Sequence, residues 1–89
     1  MSYKIEFSPK AERQFKDLST QIQKRLKPKI DALAKNPRPR GVKKLKGEDE
    51  LYRIRAGDYR IIYQIQDNAL IVLVVSLGDR KEIYRRGIK

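Results

Sequence analysis

Arg53, Arg55 and Arg60 lie close together in a chain with no histidine and no cysteine, and Arg80 and Tyr84 follow near its end. That set suits one kind of chemistry. A guanidinium stays charged at any accessible pH and grips phosphate oxygens in pairs. It can therefore hold a phosphodiester and stabilise the charge of its transition state. A tyrosine can stack on an unpaired base or share in proton transfer. RNA brings its own nucleophile, the 2′-hydroxyl, and DNA has none, so such a site favours RNA as the strand to be cut. Composition excludes the rival sets: Ser/His/Asp and Cys/His triads, and zinc held by imidazole or thiolate. Asp79 with Glu82, or the run from Glu48 to Glu50, is a weak metal candidate, because acids beside strongly basic segments are usually counter-charges. No cofactor and no metal is expected.

The charge balance is lopsided: 22 Lys and Arg stand against 11 Asp and Glu, a formal +11. That excess on 89 residues points to a polyanionic partner, nucleic acid or an acidic protein. Residues 35–46 hold Lys43, Lys44 and Lys46 with Lys35, Arg38 and Arg40, and no acid. Pro37, Pro39, Gly41 and Gly47 mark this segment as a loop rather than a helix or central strand. The length predicts a single domain, 1–89, burying roughly 60–65 % of the surface of the unfolded chain. No apolar run approaches the roughly 20 residues of a membrane span, and Met1-Ser2-Tyr3-Lys4 leads into a strand rather than a signal peptide. A cytoplasmic protein is the expectation, with no membrane partner.

The arginines sit in a stretch that reads as a three-strand antiparallel meander. Leu51–Arg55, Tyr59–Ile65 and Ala69–Val75 alternate or run apolar, and Gly57-Asp58 and Asp67-Asn68 separate them. Both pairs are residue types that tolerate a positive φ, as a two-residue hairpin turn requires. The first turn sets Arg55 opposite Arg60, Arg53 opposite Ile62 and Tyr52 opposite Tyr63. The second sets Ile61 opposite Val74 and Arg60 opposite Val75. With a side-chain period of two, one face carries Tyr52, Ile54, Ile61, Tyr63, Ile65, Leu70, Val72 and Val74. The other carries Arg53, Arg55 and Arg60 over Ile62, Ile71, Leu73 and Val75. Two arginines directly opposite destabilise a sheet, which makes sense if an anion normally sits between them.

The apolar face needs a cover. Tyr3–Phe7 alternates as a first strand. Ser8-Pro9 then opens a helix, with Ser8 as N-cap and Pro9 at the first helical position. Ala11, Phe15 and Leu18 form its apolar stripe. Thr20 with Gln23 fits a capping box for a second helix, whose stripe is Ile22, Leu26, Ile30, Leu33 and Ala34. Pro28 is expected to kink it, and Asn36-Pro37 to end it. The fold class is α+β: an N-terminal strand, a helical hairpin packed on the meander, and a short C-terminal segment.

Phe7-Ser8-Pro9-Lys10-Ala11, the helical hairpin, Lys44-Leu45-Lys46-Gly47, Tyr59-Arg60-Ile61-Ile62-Tyr63 and Val75-Ser76-Leu77-Gly78-Asp79-Arg80 with Glu82-Ile83-Tyr84 occur in that order. In this the chain resembles the RelE family of bacterial and archaeal toxins, within the RelE/ParE superfamily, over almost its whole length. The resemblance implies a ribosome-dependent endoribonuclease that cuts messenger RNA in the ribosomal A site and is held inactive by a cognate, RelB-like antitoxin. Arg60 and Arg80 match the family's catalytic arginines, and Tyr84 its carboxy-terminal tyrosine. Arg53 and Arg55 fall where the family pattern carries lysines. Arginine does not give up its proton as a lysine of lowered pKa can, so the two are assigned to substrate positioning and electrostatics. Lys43, Lys44 and Lys46 are assigned to contact with ribosomal RNA. A ParE-like inhibitor of DNA gyrase and an inert RNA-binding module are the competing expectations. The first shares the Ser8-Pro9 hairpin but leaves Arg60, Arg80 and Tyr84 unexplained.

Overall fold

The computed structural model describes residues 2–45 and 51–79. Among these residues seven elements follow one another: β1 (Lys4–Phe7), α1 (Pro9–Lys16), α2 (Thr20–Ala32), β2 (Lys43–Lys44), β3 (Leu51–Ala56), β4 (Tyr59–Gln66) and β5 (Ile71–Asp79). The meander β3–β4–β5 is the centre of a five-stranded sheet of order β1-β5-β4-β3-β2. β1 closes one side, parallel to β5, and the other pairings are antiparallel. Part of the segment expected to be loop thus forms an edge strand, Lys43–Lys44, opposite Arg53 and Tyr52. Two lysines on so short an edge discourage another chain from adding to the sheet.

The first hairpin has the expected register, with Arg55 opposite Arg60, Ile54 opposite Ile61 and Tyr52 opposite Tyr63. Gly57 takes φ +64°, the left-handed conformation the turn needs. The second hairpin corrects the expectation. Its connection has four residues, Asp67 to Leu70, because Gln66 pairs with Ile71, and Leu70 adopts φ +56°. The ladder slips again between Ile62 and Tyr63: Tyr63 faces Val74 but Ile62 faces Ser76, so Val75 is a bulge. Ile61 therefore faces Leu77 and Arg60 faces Gly78, not Val74 and Val75.

Both helices cover the apolar face, as their stripes predict. Ala11, Leu26, Ile30 and Leu33 join Tyr52, Ile54, Ile61, Tyr63, Ile65, Val72, Val74 and Leu77 in one buried cluster. Ser8 caps α1, accepting from the Ala11 N–H at 3.1 Å. The cap of α2 is Ser19 rather than Thr20, and its hydroxyl accepts from the Ile22 N–H at 3.3 Å. Gln23 is thereby released from a capping box. Its amide donates instead to the carbonyls of Phe15 (2.9 Å), which also accepts from the Leu18 N–H at 3.1 Å, and of Leu18 (3.0 Å), just past the end of α1. α2 runs on through Pro28, whose missing bond falls on an exposed face where water can reach the Lys24 carbonyl.

The loop after α2 is tied to the sheet by side chains. Arg38 Nη2 lies 3.0 Å from Asp67 Oδ2, Arg38 Nε donates to Tyr52 Oη at 3.3 Å, and the guanidinium lies 5.4 Å from the centre of the Tyr52 ring. Tyr3 Oη donates to Asp67 Oδ1 at 2.6 Å, and buried Tyr63 Oη donates to the Pro37 carbonyl at 2.7 Å. The hydrogen bonds from Arg38 and Tyr3 hold the Asp67 carboxyl below its ordinary pKa. Burial, with Tyr52 nearby, pushes the Tyr63 phenol upward. Arg38 belongs to an acid-free run, yet it is a staple for this loop.

Candidate functional site

The sheet face away from the helices gathers the cations that the sequence singled out. β3 turns Arg53 and Arg55 to that face, and Ile54 between them points into the core. β4 sets Arg60 directly across from Arg55, and β2 sets Lys43 directly across from Arg53. The three exposures differ: Arg55 is exposed, Arg53 half-buried, and Arg60 only 5 % exposed. Beneath them lies Ile62, itself buried. On the other side of Arg60 stands Gly78, which has no side chain to compete for the space.

Arg60 is the unusual member. Its Nε is buried with no hydrogen-bond partner among the described residues. A buried donor left unsatisfied costs roughly 1–3 kcal/mol, and more when it is charged. Arg55 directly opposite adds a like charge. A fold keeps such a group where an anion can repay the cost, and a phosphate oxygen accepting from a guanidinium is a strong, charge-assisted pairing.

The cationic surface continues around the β3 edge. A groove of about 290 Å³ is lined by Lys29 of α2, Arg40 and Gly41 of the loop, Lys43 of β2, and Arg53, Ile54 and Arg55 of β3. No acid lines it. Gly41 bends the chain there at φ +89°, a conformation that side-chain-bearing residues rarely adopt. A groove with five cations and a low-dielectric wall concentrates positive potential.

The profile of the ParE toxin of type II toxin-antitoxin system, parDE, matches residues 5–84. The mRNA interferase toxin RelE of Escherichia coli K12 is 31 % identical over 93 aligned residues, covering 100 % of this chain and 97 % of that protein. The chain belongs to the RelE family. Solved RelE structures agree. The toxin in the intact E. coli RelBE toxin-antitoxin complex has a TM-score of 0.76 at 30 % identity, covering 88 % of this chain and 96 % of that one. That in the archaeal RelE-RelB complex of Pyrococcus horikoshii has 0.78 at 30 % identity, covering 90 % and 97 %.

In this RelE-family toxin, then, Arg53, Arg55, Arg60 and Lys43 share one face. Lys44 pairs with Tyr52, a core-facing residue, and so takes the opposite side of the β2 edge. Arg80, Tyr84 and Lys46 lie outside the described residues. Two cations of the groove were not singled out in the sequence. Arg40 had a signal, its place in the acid-free run. Lys29 had none, because only the packing of α2 beside the β3 edge brings it there.

Proposed function

We propose that this RelE-family toxin is an endoribonuclease that cuts messenger RNA in the ribosomal A site. The observation that carries the proposal is Arg60, a buried guanidinium with an unpartnered Nε, set opposite Arg55 on a face shared with Arg53 and Lys43. The name mRNA interferase, borne by the E. coli relative, supports it.

In the proposed reaction the 2′-oxygen attacks the adjacent phosphorus as its proton leaves. The bond from phosphorus to the 5′-oxygen breaks, and that oxygen takes up a proton. The products are a 2′,3′-cyclic phosphate and a 5′-hydroxyl. Arg60 and Arg80 bind the non-bridging oxygens and stabilise the charge that builds there. Tyr84 stacks on or orients the nucleotide and assists proton transfer. Arg53 and Arg55 position the strand and supply field, and neither serves as general base. Lys43, Lys44 and Lys46 contact ribosomal RNA. No step is routed through a metal or cofactor, since the phosphate charge is met by guanidinium groups.

An antitoxin of the RelB type holds the toxin inactive in the cytoplasm, a reading supported by the E. coli RelBE toxin-antitoxin complex and by the RelE-RelB complex of P. horikoshii. The net charge of +11 calls for a partner acidic at least in its binding segment. Among the described residues, no helix is long and apolar enough to cross a membrane.

The test is cleavage mapping on programmed ribosomes. Arg60→Ala and Arg80→Ala should each lower the cleavage rate about 10²–10³-fold with the fold retained by circular dichroism. Unchanged cleavage in both rejects the assignment. DNA damage on expression, with translation intact, would instead indicate the gyrase-inhibiting alternative.

A further inference from the structure

The β-bulge at Val75 decides what lies beside Arg60. If the pairing Tyr63–Val74 continued unbroken, Arg60 would face Leu77. The extra residue moves the ladder on by one, so Leu77 enters the core at 1 % exposure and Gly78 stands opposite the guanidinium. Which residue stands next to Arg60 therefore depends on the bulge keeping its place.

Nothing in the sheet itself holds the bulge from the far side. β1 stops at Phe7, opposite Val74, so among the described residues β5 from Val75 onward has no strand neighbour on that edge. α1 supplies the missing partners. Ser8 Oγ donates to the Val75 carbonyl at 3.1 Å. One turn and a half further along, Gln14 Oε1 accepts from the Leu77 N–H at 2.9 Å and from Ser76 Oγ at 3.3 Å. A single amide oxygen thus takes two donors from the two residues that follow the bulge.

We infer that Gln14 is a positioning residue for RNA cleavage: its side-chain oxygen locks the bulged end of β5 in the register that puts Gly78 beside Arg60. Its catalytic half rests on the function proposed above. Gln14 touches no substrate in this scheme. It acts through β5, on a site where small displacements cost rate steeply.

The experiment pairs Gln14→Met, which keeps length and loses the acceptor, with Gln14→Glu, which keeps an acceptor for both donors. Two quantities are measured on the full chain: kcat and KM for cleavage on programmed ribosomes, and hydrogen exchange of the Leu77 amide. Gln14→Met should lower kcat about tenfold with KM changed less than about twofold, and speed Leu77 exchange about tenfold. Gln14→Glu should restore both. Should Gln14→Met fail to fold, Ser76→Ala removes one of the two bonds and should lower kcat about threefold. Exchange and kcat unaltered in Gln14→Met overturn the inference, as does a loss that appears in KM alone or that Gln14→Glu does not rescue. An unsubstituted chain that cuts no messenger on ribosomes overturns the proposed function and the catalytic half together. The exchange data still decide whether Gln14 holds the bulge.

Discussion

Arg60→Met should make this protein more stable and inactive at once. The guanidinium is 5 % exposed, and its Nε has no partner among the described residues. Removing an unsatisfied buried donor returns about 1–3 kcal/mol. The change also ends the direct opposition of Arg60 and Arg55, a like-charge pair worth roughly 0.2–1 kcal/mol. Against this stands the imperfect fit of methionine in a cavity shaped for arginine, about 1 kcal/mol. The expected net is a gain of about 1–2 kcal/mol, which for a domain of this size raises the thermal midpoint by about 5–15 °C. Urea and thermal unfolding at pH 7 read the stability, and programmed ribosomes read the cleavage, which should disappear. A variant less stable than the unsubstituted chain by more than about 1 kcal/mol would show that the fold needs this guanidinium for itself. The inference from a buried, unpartnered cation to an anion site would then fail.

Two further expectations concern the staple between loop and sheet. The folded-state pKa of Asp67 lies below its unfolded value, so its contribution is whole above about pH 4 and is lost as pH falls through the folded value. Asp67→Asn should flatten that acid limb in urea midpoints between pH 2 and 7, and an unchanged limb would remove Asp67 from the account. Tyr63 is the opposite case: its pKa is raised by burial, so its contribution is whole below about pH 10 and is lost as pH rises from there through the folded value. Tyr63→Phe should cost about 1–3 kcal/mol at neutral pH by orphaning the Pro37 carbonyl, and should show a shallower loss of stability above pH 10. Equal alkaline slopes would contradict the assignment.

Much of the fold was legible because it is local. Gly57-Asp58 sets its turn from its own backbone preference, and the alternation of Tyr52, Ile54, Ile61 and Tyr63 then fixes both register and core face. Ser8-Pro9 announces α1 for the same reason: cap and first-turn proline act within one helical turn. The shared face of Arg53, Arg55 and Arg60 follows from that hairpin alone. Asp67-Asn68 looked like the same signal and was not. Asp67 is held by Arg38 and Tyr3, distant in the chain, and the connection lengthens to four residues around that anchorage.

By itself, then, the sequence determined which residues form strands and helices, which face is apolar, and that a cluster of guanidinium groups lies on the other. Only the tertiary structure decided that β1 runs parallel to β5, that Arg38 reaches across to Asp67 and Tyr52 as a staple while Arg40 and Lys29 line the groove, and that Gly78 rather than Val75 neighbours Arg60. The division has a physical cause. Turn preference, capping and alternation act within a few residues and leave a mark in the chain, whereas one arginine reads like another until a carboxylate, a ring or an open strand edge from far along the sequence meets it.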